Sequence, residues 1–162
     1  MTLKKYKIYK RYKSSNRITL YHGDCIKLLQ SLPDKSVQLI ITSPPYNIGK
    51  EYEEKNDLDL FLESFKPVIQ ECWRVLKDEG SICWQVGNYV KGQAANIPLD
   101  IKFYPIFDDI GFQLKNRIIW HFGHGFHRIK SLSGRYETIN WYVKSNNYLF
   151  NLDSVRVKQK YR

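Results

Sequence analysis

The four residues best suited to chemistry follow a run of β-forming residues and read Ser43-Pro44-Pro45-Tyr46. A proline fixes its own φ angle and restricts the preceding residue to extended geometry, so two in succession make a stiff loop. Such a loop would hold the Ser43 hydroxyl and the Ser43 and Pro44 carbonyl groups beside the Tyr46 ring. Rigid hydrogen-bond acceptors next to an aromatic face suit a planar substrate that carries an amino group. From residue types alone, however, two prolines after a strand more often mark only the end of a loop.

A second group of residues with a recognisable chemistry is residues 1–17, which we call the basic N-terminal arm. The arm has seven Lys or Arg residues and no acidic residue, and Tyr6, Tyr9 and Tyr12 recur at every third position. Such a segment can neutralise phosphates while its rings stack on bases. A solvated terminus accounts for the same composition equally well. The residues predicted to contact phosphates are Lys4, Lys5, Lys7, Lys10, Arg11 and Lys13.

Three histidines, His121, His124 and His127, form a His-x-x-His-x-x-His run that raises the question of a metal site. The glycines between them prevent a single rigid helical face, and neither a carboxylate nor a thiolate is close in sequence. We therefore predict no metal here. The three cysteines form no Cys-x-x-Cys pair, so the sequence indicates neither a disulfide framework nor a zinc knuckle.

Composition and charge limit the classes of protein to which the chain can belong. With 43% hydrophobic and 15% aromatic residues it can bury a core, and 162 residues is the length of one domain. The formal net charge of +10 favours an anionic partner, with nucleic acid ahead of a membrane surface. No apolar run is long enough to span a bilayer and no signal-peptide segment is recognisable. We therefore expect a cytoplasmic protein without a membrane partner.

Strands and helices alternate along the sequence, which predicts one domain with an α/β sheet flanked by helices. The apolar run VQLIIT, residues 37–42, is typical of a strand that is covered on both faces. Pro67 lies inside the helical pattern DLDLFLESFKPVIQECWRVLK and predicts a kink or a break between two helices. Tryptophans in apolar runs are assigned to the core; they are Trp73, Trp84 and Trp120. Glu137 and Trp141 are interpreted as structural.

The remaining predicted elements follow from apolar spacing and from stop signals. The strands are ITLYHGD, GSICWQVG, FQLKNRIIWHF and TINWYVKS, and the helices are CIKLLQSL and IPLDIKFYPIFDDIG. The second of these helices contains Pro105, and Gly111 is expected to end it.

The segment TSPPYNIGKEYE is similar to the catalytic motif of DNA amino-methyltransferases that depend on S-adenosylmethionine, a motif that reads Asp/Asn/Ser-Pro-Pro-Tyr/Phe. Upstream, YHGDCIKLLQSLPDKSVQLII resembles the turn, helix and strand that precede the motif in that family. Downstream, ECWRVLKDEGSICWQVG, IFDDIGFQLKNRIIWHF and RYETINWYVKS resemble its later elements. The likeness runs from about Ile18 to Arg156. It implies a Rossmann-like class I methyltransferase sheet that is incomplete, with residues 18–162 as the part that carries the catalytic motif.

The resemblance also implies a role for each motif residue. Ser43 and the Pro44 carbonyl would accept hydrogen bonds from the amino group of a base flipped out of double-stranded DNA. Pro45 belongs to the same catalytic set, and Tyr46 would stack on the base. The methyl group would come from S-adenosylmethionine.

Two upstream residues are implied as cofactor contacts. Asp24 matches the family's acidic residue that binds the adenine amino group of S-adenosylmethionine, and Cys25 lies beside it. Aspartate is also a good helix N-cap, and Asp24 precedes the predicted helix CIKLLQSL. Both roles can hold at once.

The loop that follows FQLKNRIIWHF is rich in glycine and in basic residues. We expect it to lie near the DNA backbone or the flipped base, and a plain surface loop is the alternative. The residues predicted to contact DNA are His124, Arg128, Lys130 and Arg135.

The first residue of the motif bears on the base that is modified. In this family serine is associated mainly with N4 of cytosine, and aspartate mainly with N6 of adenine. We therefore expect methylation of cytosine N4, with adenine N6 as the alternative. The resemblance places such an enzyme in a bacterial restriction–modification or orphan modification system.

One part of the family's pattern is missing from the sequence. The glycine-rich cofactor loop, usually Asp-Pro-Phe-x-Gly-Ser-Gly-Thr, does not occur. Phe122-Gly123-His124-Gly125 imitates it but lacks the preceding acidic residue and a long helix after it. We expect either a truncated product or one half of a split enzyme whose second polypeptide supplies this loop. The alternative of another class is a non-catalytic remnant that binds DNA.

Overall fold

A four-stranded mixed sheet organises the part of the chain that the computed structural model describes, residues 7–49, 57–91, 95–125, 129 and 132–159. Helices lie between its strands, so the predicted α/β class is confirmed. The strands are β1 (Ile8–Tyr9), β2 (Ile18–Thr19), β3 (Val37–Thr42), β4 (Leu76–Val86), β5 (Asn88–Lys91), β6 (Ala95–Pro98), β7 (Gln113–His121) and β8 (Tyr136–Val143). The helices are α1 (Cys25–Gln30), α2 (Leu58–Ser64), α3 (Lys66–Val75), α4 (Leu99–Ile110) and α5 (Leu152–Val155).

The order of the strands in the sheet is β3-β4-β8-β7. β3 is parallel to β4, whereas β8 is antiparallel to both β4 and β7. The carboxyl ends of β3 and β4 and the amino end of β8 therefore lie side by side at the same end of the sheet. Thr42 pairs with Trp84, and Val86 pairs with Thr138. Side chains just beyond these positions come from three distant parts of the sequence and lie together.

The hydrophobic core lies between one face of this sheet and the helices α2, α3 and α4. Trp84 on β4 contacts Phe103 and Phe107 of α4, with ring centroids 5.5 and 5.3 Å apart. Phe107 also stacks flat on Tyr142 of β8, at 4.2 Å between centroids. These four rings are all buried, so α4 is fixed on the sheet mainly by aromatic packing.

The opposite face of the sheet is open at its two outer strands in the described part of the chain, whereas Trp141 of β8 on this face packs against Tyr148 and Phe150. Leu39 and Ile41 on β3 are 51% and 73% exposed, and Ile118 and Trp120 on β7 are 44% and 56% exposed. The strand register puts these four side chains on one face. Ile41 pairs with Cys83, which pairs with Trp141, and Ile139, two residues before Trp141, pairs with Ile118. The prediction that residues 37–42 are covered on both faces is therefore wrong, and so is the assignment of Trp120 to the core. Both errors have one cause, because an apolar strand pattern does not reveal what covers its second face.

Local signals account for most helix boundaries. The predicted break at Pro67 is confirmed, since α2 ends at Ser64 and α3 begins at Lys66, with the proline in its first turn. Gly111 ends α4 in a left-handed conformation with φ of 109°, as expected for a glycine at that position. Of the predicted strand ITLYHGD only Ile18 and Thr19 are paired. None of the described helices is long and apolar enough to cross a membrane.

Candidate active site

All four motif residues line one pocket at the carboxyl end of β3. The pocket has a volume of about 370 Å³, and its lining residues are Ser43, Pro44, Pro45, Tyr46, Ile48, Gln85 and Glu137. Gln85 comes from the end of β4 and Glu137 from the start of β8. The parallel and antiparallel pairing described above therefore assembles the pocket from three strands.

The loop that follows β3 is held by burial at two points. Pro44 is buried, while Ser43 and Pro45 on either side of it are exposed. Asn47 is fully buried and has a positive φ of 59°, a conformation that asparagine tolerates better than most residues. Ser43, which precedes Pro44, and Tyr46, which precedes Asn47, border the pocket.

A chain of hydrogen bonds crosses the pocket. Ser43 Oγ lies 2.9 Å from Tyr46 Oη, and the Tyr46 hydroxyl donates to Glu137 Oε2 at 3.2 Å. The Gln85 amide also donates to Glu137 Oε2, at 2.7 Å. The carboxylate oxygen thus accepts from two donors, one in the loop after β3 and one on β4, which fixes its position.

The ionisation of Tyr46 follows from this setting. Partial burial raises the pKa of the Tyr46 phenol above its ordinary value, and the neighbouring Glu137 carboxylate raises the pKa further, whereas the hydrogen bond with Ser43 lowers it. The phenol is therefore protonated and able to donate at neutral pH. Gly87 leaves room for the ring, because a Cβ atom at this position would lie only 3.2 Å from Tyr46 Cε2.

A second depression, of about 420 Å³, continues from the first and shares Tyr46, Ile48 and Glu137 with it. Its other lining residues are Gly87, Asn88, Asn96, Phe122, Leu132, Ser133, Gly134 and Tyr136. Amide and hydroxyl groups therefore extend the polar surface from the motif toward the loop after β7. A planar substrate in the first pocket would have this surface beside it.

The predicted cofactor residues lie at the start of α1. Asp24 caps this helix, since its Oδ1 accepts from the backbone N–H of Ile26 at 2.9 Å. The capping role proposed for Asp24 is therefore confirmed, and its cofactor contact stays a prediction, as does that of Cys25. Both side chains are exposed. Arg74 fastens α1 to α3 by donating to the Leu29 carbonyl at 2.7 Å.

The predicted DNA-contacting residues fall into three groups. The exposed arm residues are Lys7, Lys10, Arg11 and Lys13. In the loop after β7, the His124 ring lies 5.5 Å from that of Phe122, and exposed Arg135 accepts from the Phe122 N–H through its carbonyl. Lys4, Lys5, Arg128 and Lys130 lie outside the described residues. DNA contact by any of them stays a prediction, and so does the division of the chain at residue 17.

The histidine run can be followed only in part, because His127 lies outside the described residues. Over the ranges that the structure describes, no three side chains of His, Cys, Asp or Glu converge as metal ligands would.

Sequence reasoning missed the two polar residues that reach the pocket from β4 and β8. Glu137, interpreted as structural, borders the pocket and contacts Tyr46 across 91 positions of sequence, and Gln85 holds it there. Nothing in the local pattern marks either residue. Only the pairing of β8 beside β4 would have brought them to the motif, and antiparallel pairing between strands so far apart is not visible in a single sequence.

Comparisons with known proteins identify the family to which the sequence is similar. The profile of the N6/N4 methyltransferase family, described as DNA methylase, matches residues 37–162. The Type II methyltransferase M.BglII of Bacillus subtilis is 49% identical over 142 residues, which are 88% of this chain and 39% of that protein. The DNA adenine methyltransferase YhdJ of Escherichia coli is 36% identical over 148 residues, 88% of this chain and 47% of that protein.

A solved structure of a related protein has a similar fold. The protein TTHA0409 of Thermus thermophilus, in complex with S-adenosyl-L-methionine, superposes with a TM-score of 0.64 at 26% identity. The match covers 82% of this chain and 55% of that one. The chain itself spans less than half of the length of M.BglII and of YhdJ.

Proposed function

This chain belongs to the DNA methylase family of N6 and N4 amino-methyltransferases, and from that premise we propose that it carries the base-binding part of an enzyme that methylates cytosine N4 in double-stranded DNA. The observation that carries the proposal is the pocket at the end of β3, which brings Ser43, Pro44, Pro45 and Tyr46 together. Membership of the family is consistent with S-adenosylmethionine as cofactor, and a related structure contains it.

The chemistry requires an amino nitrogen to become a nucleophile. The lone pair of this nitrogen is delocalised into the base, so the amino group attacks poorly on its own. Hydrogen bonds from its two N–H groups to Ser43 Oγ and the Pro44 carbonyl favour a pyramidal nitrogen whose lone pair points outward. Tyr46 stacks on the flipped base and holds it in this orientation. When bound, S-adenosylmethionine supplies a methyl group on a positively charged sulfur.

One residue of this chain fits the cofactor by its chemistry. The Asp24 carboxylate is exposed, is held by its capping bond to Ile26, and can accept from the adenine amino group. The sequence offers no glycine-rich loop for the rest of the cofactor. The open face of β3, with Leu39 and Ile41, is a surface on which a further part of the methylase would pack, either in the same polypeptide or in a second one.

The choice of cytosine over adenine rests on Ser43. Serine at this position of the motif is associated mainly with N4-cytosine enzymes, as set out above. The 36% identity to an adenine methyltransferase supports the alternative, N6 of adenine. The family includes both reactions, so the methylated product has to be identified directly.

The experiment combines the 162-residue chain with double-stranded DNA and radiolabelled S-adenosylmethionine, alone and with the part of M.BglII that this chain does not match. Digestion to nucleosides and mass spectrometry identify the product. We expect N4-methyldeoxycytidine. N6-methyldeoxyadenosine would overturn the proposed base. No transfer in either mixture, together with retained DNA binding, would favour the non-catalytic remnant.

The exposed basic residues of the arm give a prediction about DNA affinity. Replacing Lys7, Lys10, Arg11 and Lys13 together by glutamine should weaken binding, because each contact to a phosphate releases a counterion. The slope of log affinity against log salt should become shallower by as much as about 3 to 4. Fluorescence anisotropy with labelled duplex at several salt concentrations measures this slope.

A matched variant with the same change in net charge controls for long-range attraction. It replaces four exposed lysines outside the arm by glutamine: Lys27, Lys66, Lys102 and Lys158. An equal change in slope for both variants would mean that the arm makes no specific contacts with phosphate.

A further inference from the structure

We propose that Glu137 sets the direction of the hydrogen-bond chain through Tyr46 to Ser43 and receives, through that chain, the proton that the substrate amino group loses. This inference rests on the proposed function and adds a positioning residue to it. Glu137 lies outside the Ser-Pro-Pro-Tyr motif and comes from β8, on the far side of β4 from the motif.

The direction of the chain follows from counting protons. Glu137 Oε2 also accepts from Gln85, and as a carboxylate it can only accept, so the one hydroxyl proton of Tyr46 is committed to it. The contact of 2.9 Å between Ser43 Oγ and Tyr46 Oη then needs the proton of Ser43. Ser43 therefore donates to Tyr46 and presents only lone pairs to the pocket, as acceptance from a substrate amino group requires.

The same chain gives the departing proton a route. During methylation the amino nitrogen gains a bond to carbon and becomes positively charged, so one N–H bond must then break. Its proton passes to Ser43 Oγ as the Ser43 proton passes to Tyr46 Oη and the Tyr46 proton to Glu137 Oε2. The nitrogen keeps the electron pair of the broken bond, the two hydroxyl groups are restored, and Glu137 ends as a neutral carboxylic acid that water deprotonates before the next turnover.

A purely structural salt link is the alternative role for a partly buried carboxylate. Against it, the described contacts of Glu137 are with Tyr46 and Gln85, which line the pocket, and no Lys or Arg in the described ranges forms an ion pair with it. By contrast, Glu71 is paired with Arg74 at 2.8 Å. The Glu137 carboxylate is thus fixed by neutral donors at the site of chemistry.

The first test requires no enzymatic activity. Tyrosine labelled with ¹³C at Cζ is incorporated into the wild-type chain, and the Tyr46→Phe variant identifies the Tyr46 signal. In Glu137→Gln an amide oxygen can accept the same two hydrogen bonds, but the negative charge is gone. The pKa of Tyr46 should therefore fall, because the charge of Glu137 and its hydrogen bond both raise it in the wild type. An unchanged Tyr46 titration would overturn the inference, because the two groups would then not interact in solution.

The second test measures turnover by the assay described above. Glu137→Gln should lower kcat by about tenfold and should leave KM for DNA unchanged. The expected loss is smaller than is usual for a positioned acid or base, because water can reach the exposed Ser43 and accept the proton instead. The matched control is Glu63→Gln, on the exposed side of α2, for which kcat should equal that of the wild type. An unchanged kcat in Glu137→Gln would overturn the role of Glu137 as proton acceptor.

The two tests separate failure of this inference from failure of the proposed function. If the wild type transfers no methyl group under any condition, the proposed function fails, and the Tyr46 titration still decides whether Glu137 orients the chain. If the wild type is active and the titration does not move, the proposed function stands and the inference is wrong.

Discussion

Replacing Tyr46 by alanine should lower the rate of methyl transfer by roughly 100- to 1,000-fold, the largest effect that we expect from a single pocket residue. In the proposed function the change removes the aromatic face on which the flipped base would stack, and it also removes the hydroxyl that links Ser43 to Glu137. Base–aromatic stacking alone contributes about 1–3 kcal/mol, and loss of orientation at Ser43 adds to it. Single-turnover methylation of a duplex substrate measures the rate.

Two companion measurements make this result specific. Tyr46→Phe retains the ring and loses only the hydroxyl, so its rate should lie between those of the wild type and Tyr46→Ala. The melting temperature of Tyr46→Ala should stay close to that of the wild type, since the ring is only partly buried. A loss of stability in proportion to the loss of rate would show that Tyr46 belongs to the core and has been misassigned.

Replacing Phe107 by alanine should produce the largest loss of stability in the chain, about 3–5 kcal/mol in the free energy of unfolding. Phe107 is fully buried and contacts Trp84, Phe112 and Tyr142 at centroid distances of 5.3, 5.2 and 4.2 Å. Truncation therefore removes packing from both the helix and the sheet and leaves a cavity between them. Urea denaturation followed by tryptophan fluorescence measures the change.

The control for Phe107 lies one turn away on the same helix. Tyr104 is also aromatic but is 40% exposed, so Tyr104→Ala should cost less than about 1 kcal/mol. Equal losses in the two variants would mean that α4 is held on the sheet by something other than its aromatic face.

The fold was predictable where a signal is local. Pro67 and Gly111 mark helix ends for steric reasons that do not depend on the rest of the molecule, and both ends are found where the sequence placed them. The apolar runs likewise located β3, β4, β7 and β8. The hairpin of β5 and β6, and the short helix α5, have no comparable apolar pattern and were not predicted.

The candidate site was predictable only in the half that is contiguous in sequence. Ser43 to Tyr46 could be proposed as a site because the four residues are contiguous and resemble a family motif, whereas their residue types alone favour a plain loop end. Glu137 and Gln85 could not, because their place beside Tyr46 depends on which strands pair and in which direction. The same limitation misplaced Trp120, whose exposure depends on the covering of a whole sheet face rather than on its neighbours in sequence.

The position of β3 at the end of the sheet order has a consequence for how a complete site can be built. Its outer edge is unpaired among the described strands, and its backbone direction is fixed by parallel pairing with β4. A neighbour added at that edge and running in the same direction would end beside Ser43, and a molecule held at its tip would face the base. An antiparallel neighbour would place its amino end beside Ser43, and its carboxyl end would lie about 20 Å away, the length of a six-residue strand. The direction of a strand added beside β3 would thus decide whether a methyl donor held at its end could reach a base bound at Ser43.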